Sequence, residues 1–329
     1  MRLAGALWYF WYTQGHLNEG RQWLDDLLVR AEAGNQEAPP AARAQVLLAA
    51  GTLAAQQGDH ARARALCTES DLLCRGLEDW WGAAWTRNVS GVIARQQGDY
   101  QAAREFYEES LALFGQIQER WGVALVLNNL GALARYRGDT AQAAALYEQS
   151  RVLTVEVGDT WTTAMVLGNL GEIAHDQGDD QRAVTLCEES LALFRGLGEE
   201  RGIAYALTYL GSVARANGDN PRALTLYQES LTLCWQVGER SHLAATIEDL
   251  AEVVSGLGQA APAARLFGAA AALRERIGAP IPPTDRPDHN RRLAPLRAAL
   301  GPAFGTAWQE GQALSLDHVV DEALSVVPS

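Results

Sequence analysis

The sequence predicts an all-α fold: a right-handed superhelical solenoid of antiparallel helix pairs with a 40-residue period, closed by a C-terminal helical cap. Three observations predict it. The dipeptide Gly-Asp recurs at Gly58-Asp59, Gly98-Asp99, Gly138-Asp139, Gly178-Asp179 and Gly218-Asp219, forty residues apart each time, with a decayed copy at Gly258-Gln259. Between these marks apolar residues recur with a helical period. Small residues return at fixed places inside those helices. A fixed period in this range means stacked supersecondary units rather than one globular core.

Residues 1–40 read as a degenerate first repeat and a joint. Met1-Arg2 followed by the apolar run Leu3 to Tyr12 has the outline of a short signal peptide, but no A-x-A-like cleavage site follows. Gly15-His16 matches the Gly-Asp turn of the repeats, so the run is expected to be the first helix of the array, with Trp8 and Trp11 in place of small residues. Pro39-Pro40 marks a longer joint.

Residues 41–277 form the regular array, and 119–158 is its clearest unit. Val123, Leu127, Leu130 and Ala134 share one face of a first helix. Gly138 supplies a left-handed stop and Asp139 can cap the second helix, on which Ala143, Leu146, Tyr147, Ser150 and Leu153 are apolar-side residues. Gly158-Asp159 closes the unit. Gly51, Gly91, Gly131, Gly171 and Gly211 recur in the middle of the first helix. Each costs about 1 kcal/mol of helix propensity, so close approach of the partner helix is expected, with Ala63, Ala103, Ala143, Ala183 and Ala223 opposite and Ser70, Ser110, Ser150, Ser190 and Ser230 fitting the same geometry.

Leu130-Gly131, Leu170-Gly171 and Leu210-Gly211, followed by the small residues Ala143, Ala183 and Ala223 and the aromatics Tyr147 and Tyr227, resemble the tetratricopeptide repeat motif. The period is forty rather than about 34, and the motif's terminal proline is missing. Both departures fit a longer-helix subtype.

Residues 278–329 are expected to form the cap, with a proline linker from Gly278 to Pro283, helices over Arg286–Leu300 and Ala303–Gln312, and a last helix capped by Ser315. The string from Ala264 to Leu324 and the opening from Ala4 to Arg21 resemble the C-terminal repeat region of LuxR-type and related signal-transducing ATPase regulators of bacteria. That resemblance implies an inducer- or partner-sensing half, with an NTPase module in cis or in trans. It does not imply ATPase or DNA-binding activity for these residues.

Composition narrows the function classes. All 27 basic residues are arginine, which excludes a lysine Schiff base or a P-loop lysine. A net charge of −13 argues against nucleic acid as a partner. Cys67, Cys74, Cys187 and Cys234 show no CxxC spacing and fall where other repeats carry Tyr or Phe, so they read as core residues in a reducing, cytoplasmic setting. No apolar run reaches membrane-spanning length. The six histidines are scattered, and no metal, cofactor or catalytic constellation emerges.

Function is therefore confined to the surface of the stack. In solenoids of this type the first helices line the concave side. Positions i, i+4, i+7, i+11 and i+14 there bring forward Trp81, Trp85, Asn88 and Arg95, then Trp121, Asn128 and Arg135, then Trp161 and His175, then Tyr205 and Arg215, with Asn129 and Asn169 one position round. The tryptophans either take apolar anchors of a ligand or pack between repeats. The arginine row either takes carboxylates or closes salt bridges with neighbouring repeats. Asn129 and Asn169 resemble the peptide-gripping asparagines of tetratricopeptide domains. The leading expectation is a non-enzymatic scaffold that binds a protein, a peptide or an intramolecular segment in signalling to transcription. The alternative is a sensor that encloses a small inducer within the tryptophan row.

Overall fold

The computed structural model describes residues 2–13, 16–33, 39–278, 281 and 286–327. Among them there is no strand. The helices are α1 (Arg2–Thr13), α2 (Leu17–Ala33), α3 (Pro40–Gln56), α4 (His60–Gly76), α5 (Trp80–Gln96), α6 (Tyr100–Gln116), α7 (Arg120–Tyr136), α8 (Thr140–Val157) and α9 (Thr160–Asp176). They continue with α10 (Asp180–Leu197), α11 (Glu200–Ala216), α12 (Asn220–Val237), α13 (Arg240–Gly256), α14 (Ala260–Arg276), α15 (Arg286–Leu300), α16 (Ala303–Ala313) and α17 (Leu316–Ser325). The chain divides into two compact units, Met1–Asn169 and Leu170–Ser329.

Helix boundaries follow from a punctuation repeated every twenty residues, twice as often as Gly-Asp itself. Gly58, Gly98, Gly138, Gly178 and Gly218 all take φ between 77° and 79°, and Gly158, Gly198 and Gly238 take φ of 74°, 66° and 72°. Glu78 and Gln118 stand at the same register with φ of 55° and 56°, so two ordinary residues adopt the left-handed turn. The following acid caps the next helix: Asp99 accepts from the Ala102 amide at 3.0 Å, Asp139 from Gln142 at 3.0 Å and Asp79 from Gly82 at 3.0 Å.

The close approach expected at the mid-helix glycines is present, and its nearest contact is made by the side chain four residues after the expected alanine. A Cβ on Gly131 would lie 2.7 Å from the Tyr147 ring, one on Gly91 2.5 Å from Tyr107, and one on Gly171 2.4 Å from the Cys187 sulfur. At Gly91 and Gly131 the tyrosine ring four residues after the alanine reaches across onto the bare glycine backbone, whereas at Gly171 the Cys187 sulfur does so with the Ala183 carbonyl oxygen 3.2 Å from the same point. A second set has the same logic nine residues earlier in the helix: a Cβ on Gly122 or Gly202 would meet Phe114 or Phe194 of the preceding second helix. Each such first helix is thus clamped between a ring from its own repeat and a ring from the repeat before. The serines do more than fill space. Ser70, Ser110, Ser150 and Ser230, each fully buried, donate to the carbonyls of Ala44, Ala84, Ala124 and Ala204 at 2.7–3.0 Å, always twenty-six residues back.

At the C-terminal end α16 packs on α14 backbone to backbone. A Cβ on Gly268 would fall 2.2 Å from the Trp308 carbonyl oxygen, and one on Gly311 1.9 Å from that of Arg265. Helix α15 runs through Pro295, held by the buried Leu293 and Leu296 on either side of it. Ser315 caps α17 as expected, accepting from the His318 amide at 3.4 Å. The described residues include no helix long and apolar enough to cross a membrane. Gly15 and most of the proline linker after Gly278 lie outside the described residues.

Candidate functional site

In unit 1 the first helices α5, α7 and α9 carry the tryptophans in register, because forty residues return the chain to the same angular position on the next first helix. Trp81 stacks on Trp85 with ring centroids 5.9 Å apart and planes 4° from parallel. Trp85 in turn stacks on Trp121 at 5.3 Å and 8°. Polar edges of this ladder are tied down: the Trp85 indole N–H donates to Thr52 Oγ1 at 3.2 Å, and that of Trp121 to Asp159 Oδ2 at 2.6 Å. Asp159 also receives the Thr162 amide at 3.0 Å, so one carboxylate caps α9 and orients the ladder.

Helix α1 lies against this ladder. Trp8 sits 4.9 Å from Trp85, Tyr9 meets Trp121 edge-on at 5.7 Å, and Tyr12 meets Trp161 edge-on at 6.1 Å. Edge-to-face and offset contacts at these distances are the favoured aromatic geometries. Burial pushes the Tyr9 phenol well above its ordinary range, with the Asp159 carboxylate adding to the rise, so Tyr9 stays protonated. Trp11 turns the other way, against α2 and α3, where Gly20 leaves room for its ring.

The asparagines form rungs between neighbouring first helices. Asn129 Nδ2 donates to Asn88 Oδ1 at 2.8 Å, and Asn169 Nδ2 to Asn128 Oδ1 at 2.8 Å. Asn88 and Asn128 are buried, whereas Asn129 and Asn169 are half-buried. Each rung uses one donor and one acceptor of side chains that carry two of each kind, which leaves amide capacity at the half-buried end. Arg95 reaches back beside the Tyr107 hydroxyl and lies 5.5 Å over the Tyr136 ring. Arg135 is half-buried at the matching place on α7.

In unit 2 the equivalent positions are occupied by ion pairs and rings. His175 Nδ1 lies 2.7 Å from Asp180 Oδ1, and Arg215 pairs with Glu252 at 3.0 Å. Tyr205 packs on the buried imidazole of His242 at 3.9 Å, and Thr208 Oγ1 is 3.0 Å from His242 Nε2. Burial holds His242 down at about 4, so it is neutral at physiological pH.

Sequence reasoning missed one constellation here. Glu248 and Asp249 stand 120 residues after Asn128 and Asn129, at the same repeat positions, and together with Glu252 they receive a helix from the C-terminal segment. Arg292 of α15 donates to Glu252 Oε1 at 2.6 Å and Asp249 Oδ1 at 2.7 Å, and lies 3.8 Å from Glu248 Oε2. Arg274 adds a 2.8 Å bond to Glu248. Burial, reinforced by its acidic neighbours and opposed by Arg292, pushes Asp249 up to about 6. The signal was present as a departure from the asparagine register, but its partner lies more than forty residues away in a segment without the repeat. The described residues contain no group of three or more His, Cys, Asp or Glu side chains able to hold a metal ion.

Comparison with known proteins agrees with this architecture. No curated protein matches the chain. Among solved structures, the Rap protein complexed with Competence and Sporulation Factor superposes with a TM-score of 0.65 at 12% identity, covering 98% of this chain and 87% of that one. NprR in complex with its cognate peptide NprX gives 0.58 at 13% identity, over 74% of this chain and 70% of that one. A Signal Transduction ATPase with Numerous Domains from Pyrococcus horikoshii, which carries a tetratricopeptide repeat sensor, gives 0.56 at 12% identity. The match covers 86% of this chain but 46% of that protein. These likenesses are of fold. The family model described as Tetratricopeptide repeat matches residues 41–116, 122–196, 162–234 and 202–276, well over half the chain. With its helix pairs, its glycine–aromatic clamps and this match, the chain belongs to the tetratricopeptide repeat family.

Proposed function

We propose that the chain is a non-enzymatic scaffold whose first-helix face binds a polypeptide, serving as the sensor or partner-binding part of a bacterial transcription regulator. The observation that carries the reading is the seating of α1: three consecutive first helices present aromatic rings spaced to receive a helix, and a helix of this chain rests there. The asparagine rungs add half-buried amides suited to backbone groups of a ligand. The tryptophans stack on one another and on α1 instead of facing an enclosed void, which favours a polypeptide over a small inducer. Two of the structural neighbours are themselves peptide complexes by their descriptions, Rap with Competence and Sporulation Factor and NprR with NprX. The signal-transduction ATPase neighbour and the resemblance of both ends of the sequence support an NTPase module, in cis or in trans, as the effector. The net charge of −13 disfavours direct contact with nucleic acid.

Selection of a displayed helical-peptide library on the full chain tests the reading. Enriched peptides should lose at least about tenfold in affinity, or about 1.4 kcal/mol, on Asn129→Ala or Asn169→Ala. Peptides indifferent to Asn129, Asn169 and Trp121 alike would defeat it.

A further inference from the structure

We propose that α1 is the built-in ligand of the tryptophan ladder, and that the external partner is an amphipathic helix with aromatic residues at i, i+1 and i+4 that binds by taking the place of α1. This rests on the reading of the first-helix face as a polypeptide site and specifies the ligand class and the way it is admitted.

The argument begins with the composition of α1. From Leu3 to Tyr12 it carries no charge, and a helix apolar on all sides is expected either to be buried or to have a partner on every face. Instead α1 is covered against the ladder and, through Trp11, against α2, and is open on the face that carries Leu7 and Phe10. Trp8 is buried and Tyr9 and Tyr12 half-buried against the ladder, while Phe10 on the far side is 52% exposed and Leu7 36%. Positions 8, 9 and 12 fall within one arc of about 100° on the helix, which is why three rings can meet three successive tryptophans. The spacing is therefore a recognition code: one ring per repeat.

The repeats beneath do not need α1 to close their own cores. In α5 and α7 the mid-helix glycine is filled by the tyrosine of the same repeat, Tyr107 or Tyr147, and the serine–carbonyl bonds join first and second helices on the side of the second helix. Removing α1 would uncover the ladder without opening these contacts. A twelve-residue helix is also marginal alone in water, so α1 is helical because it is docked. Trp11, seated against Gly20 and Leu53, tethers it so that it returns at an effective concentration in the millimolar range. An external helix meets a site open for only a fraction of the time, and its apparent affinity falls by that fraction.

The test uses the full chain and a fluorescein-labelled synthetic peptide of the α1 sequence, Arg2 to Thr13, with a scrambled peptide as control. Trp8→Ala/Tyr9→Ala/Tyr12→Ala should bind the peptide at least tenfold more tightly than the unmodified chain. Adding Trp121→Ala should abolish the gain, and Phe10→Ala alone should leave binding as in the unmodified chain. Equal binding to the triple variant and the unmodified chain, or a gain that survives Trp121→Ala, overturns the proposal. Hydrogen exchange on the unmodified chain keeps the question answerable should the triple variant not fold. Amides of α1 should exchange at least tenfold faster than those of α7. Exchange of α1 only together with α7 would mean the ladder is never uncovered, and the proposal would fall. Either failure leaves the broader polypeptide-binding reading to be judged separately, by the asparagine variants.

Discussion

Gly131→Ala isolates the contact that sets the spacing of the helix pairs. The new Cβ would sit 2.7, 2.8 and 3.1 Å from Cε1, Cδ1 and Cζ of Tyr147, a ring only 2% exposed. Carbon atoms pack at about 3.5–4.0 Å, so the ring must retreat by nearly 1 Å inside a filled core. Overpacking of that kind costs about 1–3 kcal/mol, against a gain of about 1 kcal/mol in helix propensity. The net expectation is a destabilisation of up to about 2 kcal/mol. Gly115, near the end of α6, has nothing within 4 Å of its own ideal Cβ. There the same substitution should stabilise by about 0.5–1 kcal/mol. The opposite signs, read by urea titration with circular dichroism and localised by hydrogen exchange in α7 and α8, are the signature of the clamp. A double-mutant cycle with Tyr147→Ala should show coupling of about 1–3 kcal/mol. Stabilisation by Gly131→Ala equal to that by Gly115→Ala would refute the reasoning.

Other perturbations test separate parts of the structure. Gln118→Gly and Glu78→Gly replace residues held at φ near +55°, where a side chain costs about 1–2 kcal/mol; each should raise the unfolding free energy of unit 1 by about 0.5–1 kcal/mol after the entropy of the added glycine, and a lowered stability would contradict the assigned turn. Ser110→Ala removes the bond to the Ala84 carbonyl and should cost about 1 kcal/mol, whereas Ser212→Ala, at a half-buried position, should cost less. His242 has a folded pKa lowered to about 4 from 6.5, so the unfolded chain binds the proton first. Stability from this group is complete above pH 6.5 and is lost as the pH falls toward 4, by up to about 3 kcal/mol. Asp249, raised to about 6 from 3.8, works in the opposite direction between pH 4 and 6, so the acid sensitivity of His242 should emerge fully in Asp249→Asn and vanish in His242→Gln. Midpoints of unit 2 measured from pH 4 to 7 in both variants check this.

The repeat architecture was legible because its determinants are local. A left-handed glycine, an acid that caps the next helix and a 3.6-residue apolar period each act within a few residues, and a forty-residue period multiplies the signal. The glycine clamp was half legible: Gly131 announces a close approach, but whether Ala143 or Tyr147 makes it depends on how far a side chain reaches between helices. The position of α1 could not be read. Its apolar residues surround the helix, so no face is specified, and its contacts with Trp85, Trp121 and Trp161 span about 80 to 150 residues. The Arg292 cluster was hidden for a related reason, since Glu248, Asp249 and Glu252 look like solvated charges until α15 is folded onto them. For the candidate site, periodicity brought the tryptophans and asparagines into rows, while their partners, Asp159 for Trp121 and Asn88 for Asn129, required knowing which helices are neighbours.

The central claim is that the first-helix face of unit 1 is a surface for a helix and that α1 occupies it. Fluorine NMR of the full chain labelled with 5-fluorotryptophan tests it most directly, with each line assigned by Trp→Phe substitution. With Trp8 4.9 Å from Trp85 and Tyr9 5.7 Å from Trp121, Trp8→Ala and Tyr9→Ala should shift the Trp85 and Trp121 lines respectively while leaving that of Trp308 in place. Unmoved Trp85 and Trp121 lines in both variants would mean that α1 does not rest on the ladder.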